Sequence, residues 1–86
     1  MSAPGPTQDV GEIESVILEI FRAILTNHSV GPEDDFFASG GDSLLAVDAS
    51  ERISQALSAP LDPLTLFMHP TASGCARAVV DNAGGS

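Results

Sequence analysis

Apolar residues recur at helical intervals along most of the chain, and no stretch alternates with the period of a strand. The first stripe, Val10, Ile13, Val16, Ile17, Ile20, Phe21, Ile24 and Leu25, predicts an amphipathic helix over 9–27. Asp9 followed by Glu12 resembles a capping box, Glu14 suits the positive end of the helix dipole, and Gly31-Pro32 lies beyond the helix end, which falls near His28. A second stripe of Leu45, Ala46, Ala49, Ile53, Ala56 and Leu57 predicts a helix over 43–57. Its other face holds Leu44, Val47, Asp48, Glu51 and Gln55, so two apolar residues point outward near the helix start. Pro60 and Pro63 break the chain, a short helical piece is predicted over 64–68, and His69-Pro70 ends it. Thr71 is suited to cap a last helix through Arg77 to Asp81, with Gly84 past its end. The expected fold class is all-α, a small bundle of three main helices plus one short helix, with a long loop between helices 1 and 2.

That loop, 28–42, is punctuated by Gly31, Pro32, Gly40 and Gly41 and carries Phe36-Phe37 at its middle. A connection this long in a small domain is pinned by something or is functional, and the phenylalanines are the expected pins. Outside the helices, 1–8 reads as a flexible leader and 82–86 as a flexible tail, which leaves 9–81 as the folded domain.

Composition narrows the function. With 86 residues, the chain can bury only a modest core, which argues against an elaborate active site of its own. Three arginines, no lysine and twelve carboxylates give a formal net charge of −9. That balance disfavours nucleic acid or an anionic membrane as partner, because both are bound through Lys and Arg. The longest uncharged run, Pro63 to Ala76, is too short to span a bilayer and is broken by prolines. Cys75 is the single cysteine, which excludes an internal disulfide and suits a reducing, cytoplasmic setting; it is expected to pack as a small core residue. His28 and His69 are not spaced as a metal pair.

The chemistry concentrates at Gly40-Gly41-Asp42-Ser43-Leu44. Adjacent glycines let the backbone turn sharply and leave room for an approaching protein. Ser43 is then placed at the first position of a helix, where free backbone N–H groups and the dipole favour an anion. Spacing alone also fits a plainer role, with Asp42 or Ser43 serving only as an N-cap. A Ser-His-Asp hydrolase is disfavoured, since the Gly-x-Ser-x-Gly elbow and its parallel sheet are missing.

The run Phe36-Phe37-Ala38-Ser39-Gly40-Gly41-Asp42-Ser43-Leu44-Leu45-Ala46-Val47, then Arg52-Ile53, then Leu64-Thr65-Leu66-Phe67-Met68-His69-Pro70-Thr71, resembles the peptidyl carrier proteins of nonribosomal peptide synthesis. The resemblance covers about 35–80 and implies the small four-helix carrier-protein bundle. It implies 4′-phosphopantetheine, taken from coenzyme A and joined covalently to Ser43, with Gly41 and Asp42 as the flanking loop. The arm's thiol would hold an aminoacyl or peptidyl group as a thioester. A phosphopantetheinyl transferase, an adenylation enzyme and condensation or tailoring enzymes are the implied partners, and the chain itself is not expected to be a catalyst. Leu44, Val47 and Asp48 become candidates for partner contact. The acidic residues Glu33, Asp34, Asp35, Asp42, Asp48 and Glu51 fit either a solvated face or steering toward basic enzymes. Ala49, Ala72 and Cys75 stand where relatives often carry larger aliphatic residues, and Asp48 where a basic or neutral one is frequent. A free-standing monomer is expected. An acyl or aryl carrier of a polyketide or siderophore pathway, or an acidic helical adaptor without a prosthetic group, are the alternatives.

Overall fold

Asp9 opens the first helix, α1 (Val10–Leu25), through its carboxylate, which accepts the Gly11 amide at 2.9 Å, and its carbonyl, which accepts the amide of Ile13 at 3.0 Å. The predicted stripe buries Ile13, Ile17 and Phe21, spaced four apart on one face, and leaves Val10, Ile20, Ile24 and Leu25 packed at its margins. α1 stops before the expected Asn27 because Thr26 turns left-handed at φ 48°. A β-branched residue is an uncommon choice there, and no glycine signals the stop. The structure, a computed structural model, describes residues 9–84 and the side chains of residues 9–81. The expected leader 1–8 lies outside the described residues, as do the last two residues of the expected tail.

The second helix, α2 (Ser43–Leu57), has the expected bounds and ends at a left-handed Ser58. The third, α3 (Pro63–Met68), starts one residue earlier than predicted, with Asp62 as its cap and Pro63 at its first position, where a missing N–H costs nothing. The fourth, α4 (Ala72–Gly84), is capped by Thr71, whose hydroxyl accepts the Gly74 amide at 2.9 Å. It continues past Asp81 to Gly84, so Asn82 to Gly84 belong to the helix and not to a tail. Among the described residues all regular structure is helical, and no helix is long and apolar enough to cross a membrane.

α1 packs against both α4 and α2, while α3 rests on α2 and touches α4 least. α2 contributes Ala46, Ala49, Ser50 and Ile53 to the core, and α4 contributes Ala72, Cys75, Ala76 and Val79. One expectation for α2 is corrected, and one residue is added to its buried face. Ala56 is exposed, and Ser50 takes a core position. The buried hydroxyl is tolerated because it bonds back to its own helix, 2.9 Å from the Ala46 carbonyl and 3.0 Å from that of Val47. Ala49, Ala72 and Cys75 are fully enclosed, so their small size brings the helices together around the larger rings of Phe21 and Phe36.

All four aromatic residues of the chain form one series of ring contacts. Phe21 of α1 meets Phe36 of the loop at 4.8 Å, Phe36 meets Phe37 edge-on at 5.3 Å, and Phe37 stacks on Phe67 of α3 at 5.2 Å. Phe21 and Phe36 are wholly buried, whereas Phe37 is half-buried and Phe67 exposed. The loop is tied down by its backbone as well. The Phe36 amide donates to the Pro70 carbonyl at 2.7 Å, the Ser73 amide to Pro32 at 3.0 Å, and the Arg22 guanidinium to Val30 at 2.8 Å.

Phe36→Ala is expected to cost about 3–5 kcal/mol, because a fully enclosed ring leaves a cavity; urea unfolding measures it. Burial pushes the Cys75 thiol from 9.0 up to about 11. The folded protein therefore keeps a proton that the unfolded chain releases, so the Cys75 contribution to stability should be constant below pH 9 and fall as pH rises from 9 toward 11. The Cys75→Ala variant, compared by urea midpoint across that range, should lack this decline.

Candidate functional site

The loop before α2 is built on carboxylates that satisfy its own backbone. Asp34 accepts the Gly31 amide at 2.7 Å, and Asp35 accepts those of Phe37 and Ala38 at 2.8 and 3.1 Å. Asp42 caps α2 by accepting the Leu45 amide at 2.9 Å. Asp48 faces Arg52 one turn on, at 3.3 Å across an exposed pair. Four of the six acidic residues that suggested electrostatic steering thus have local tasks. Glu33 and Glu51 have no partner among the described residues.

The two glycines differ in function. Gly40 adopts φ +117°, a backbone that side chains rarely allow, and the space around it is open. Gly41 has ordinary φ, but a Cβ there would strike the Phe36 ring and lie 2.8 Å from the Phe36 carbonyl oxygen. The Gly41 amide donates to that same oxygen at 3.0 Å. Gly41 is therefore small chiefly because the chain closes on Phe36, an interior reason beside the room for partners read from the sequence.

This closure delivers Ser43 to the first position of α2, exposed and with no hydrogen-bond partner for its hydroxyl among the described residues. Leu45 uses its amide on Asp42, while the amides of Ser43 and Leu44 have no acceptor among the described residues. The arrangement is an open hydroxyl beside free donors at the positive end of a fifteen-residue helix. Asp42 is engaged as a cap and stands as a structural group, not a free base.

Leu44 is 81% exposed and Val47 44%, so both lie outside the core as expected, beside Asp48. The structure adds Leu64, Phe67 and Met68 of α3 to the exposed apolar residues, which the sequence reading did not single out. A signal was present. α3 is apolar at nearly every position but short, so only Leu66 can turn fully inward.

The family model described as "Phosphopantetheine attachment site" matches residues 15–79, and the chain belongs to that family. Members of this carrier-protein family bear 4′-phosphopantetheine covalently on a serine, and nonribosomal peptide synthetases stand among the relatives of this chain. It is 42% identical over 66 residues to the nonribosomal peptide synthetase asqK of Emericella nidulans, covering 77% of this chain and 2% of that one. It is 38% identical over 88 residues to phenyloxazoline synthase MbtB of a Mycobacterium strain, covering 99% of this chain and 8% of that one. The chain thus spans only a small fraction of these curated relatives. Among solved structures, BlmI, a type-II acyl-carrier-protein of Streptomyces verticillus involved in bleomycin biosynthesis, superposes with a TM-score of 0.81 at 30% identity, covering 86% of this chain and 89% of that one. A free-standing peptidyl carrier protein of Acinetobacter baumannii shares the fold, with a TM-score of 0.81 at 20% identity over 90% of this chain and 99% of that one.

Gly41→Ala should lose about 1–3 kcal/mol through overpacking. In a double-mutant cycle with Phe36→Leu the loss should be less than additive, because the two changes share one contact. Gly40→Ala should be destabilising through its backbone and should add to Phe36→Leu, both read by urea unfolding.

Proposed function

We propose that Ser43 is the attachment point of the phosphopantetheine arm and that the domain shuttles aminoacyl or peptidyl groups between nonribosomal peptide biosynthetic enzymes. The observation that carries this reading is the exposed, unpartnered Ser43 hydroxyl at the start of α2. The residues present fit the group. No side chain blocks the approach from Gly40, and the free amides of Ser43 and Leu44 suit an incoming phosphate. When bound, the arm supplies the thiol on which cargo travels as a thioester.

The chain's own contribution is placement. A serine hydroxyl is a weak nucleophile without a base or metal, and Asp42 is occupied in capping. On this reading a separate transferase, using Mg²⁺ and coenzyme A, takes the Ser43 proton while the Oγ–phosphorus bond forms and the diphosphate P–O bond of coenzyme A breaks, releasing its adenosine bisphosphate half. The domain is then a non-catalytic substrate of that enzyme. An adenylation enzyme loads it, and condensation or tailoring enzymes receive the cargo. Leu44, Val47 and Asp48 border Ser43 and form the contact for these partners, with the exposed apolar pair as anchors. We take the domain to be a cytoplasmic monomer.

Incubation with coenzyme A, Mg²⁺ and a promiscuous phosphopantetheinyl transferase should add one phosphopantetheine to the intact mass, and Ser43→Ala should gain nothing. No gain on folded wild type, or a gain that survives Ser43→Ala, would refute the assignment. Leu44→Ala and Val47→Asp should leave the urea midpoint nearly unchanged, yet lower kcat/KM for modification or loading by about tenfold, the scale of a lost interface anchor. Unaltered kinetics in both would remove these two residues from the partner face.

A further inference from the structure

The four phenylalanines connect the core to the serine loop and then to α3, and the outermost contact of the series remains without a role in the fold. Phe67 is 46% exposed, so its ring is not needed to fill the interior. It nonetheless lies nearly parallel to Phe37, 7° from coplanar, and Phe37 is bonded through its amide to Asp35. Phe37 adjoins Phe36, whose carbonyl accepts the Gly41 amide immediately before the α2 cap. The other tie between α3 and this loop runs in the same direction, because the Pro70 carbonyl just past α3 accepts the Phe36 amide. Two neighbouring loop residues are thus held from the α3 side, one by a ring and one by its backbone.

We infer that Phe67 is a positioning residue for modification at Ser43, because its stack on Phe37 holds the Phe36–Gly41 closure that presents the α2 start. The inference rests on Ser43 being the modified residue for its kinetic consequence, but the structural coupling stands apart from that assignment. Removing the Phe67 ring frees Phe37 on its exposed side. The Phe36–Gly41 closure then opens more often, and the hydroxyl spends less time in the place that a transferase must engage. An aromatic pair of this kind is worth enough to change such an opening equilibrium by about two- to tenfold.

Amide hydrogen exchange on the full apo chain tests the coupling directly. Phe67→Leu, which keeps an apolar side chain but no ring, should speed exchange of the Gly41 and Leu45 amides by about two- to tenfold. Amides within α1 and α4 should be unchanged, and Phe67→Tyr should restore the wild-type rates. With a transferase, Phe67→Leu should raise KM by a similar factor at little change in kcat, again restored by Phe67→Tyr. Exchange that is unaltered, or that rises equally throughout the bundle, overturns the inference. A raised KM with unaltered exchange also overturns it, since Phe67 would then act by touching the enzyme. Failure of the wild type to accept phosphopantetheine sinks the Ser43 assignment instead, while the exchange measurement still decides whether α3 holds the loop.

Discussion

The burial of Phe36 is the constraint on which the rest of the structure depends. A long loop between two helices has a large entropy cost to order, and its backbone polar groups need partners. Phe36 meets both demands. Its ring is wholly enclosed against Phe21, its amide bonds to Pro70, and its carbonyl receives Gly41. Two separated sequence runs, Phe-Phe-Ala-Ser-Gly-Gly and His-Pro-Thr, are therefore halves of one physical contact. Gly41 belongs to it because no Cβ fits beside that ring.

A serine shown to the outside needs a scaffold that does not itself collapse onto it. The bundle provides this by engaging the loop's acidic side chains with nearby backbone amides, at Asp34, Asp35 and Asp42. What remains around Ser43 is an unobstructed helix end, flanked by Leu44 and Val47 and at no point enclosed. A carrier needs no pocket of its own, because the chemistry takes place in other proteins. Under the role proposed for Ser43, a fixed place for its hydroxyl is what the domain offers, and a core of small residues on α2 and α4 packed with two large rings supplies it.

The helices, and Ser43 at the head of the second, were legible from periodicity, prolines and capping residues, because those signals act within a few residues. The left-handed ends at Thr26 and Ser58 were not, since neither residue is a glycine. Ala56 was misplaced, and Ser50 was assigned to neither face, for a related reason. Both lie near the margin of the apolar stripe, and which one is covered depends on how α1 packs on α2, a contact the stripe does not specify. The acidic loop read as surface charge and most of it is exposed, but the sequence does not display which backbone amides its carboxylates also satisfy.

By itself, the sequence determined the four helices, their order and the residue that stands first in α2, all of which follow from local hydrogen bonding and helical spacing. Only the tertiary structure decided that Gly41 must be small because Phe36 lies against it, that α3 leaves Leu64, Phe67 and Met68 outside, and that four rings far apart in the chain make a single series. The physical reason is that periodicity states which side chains share a face, whereas exposure and ring contact depend on which other element covers that face.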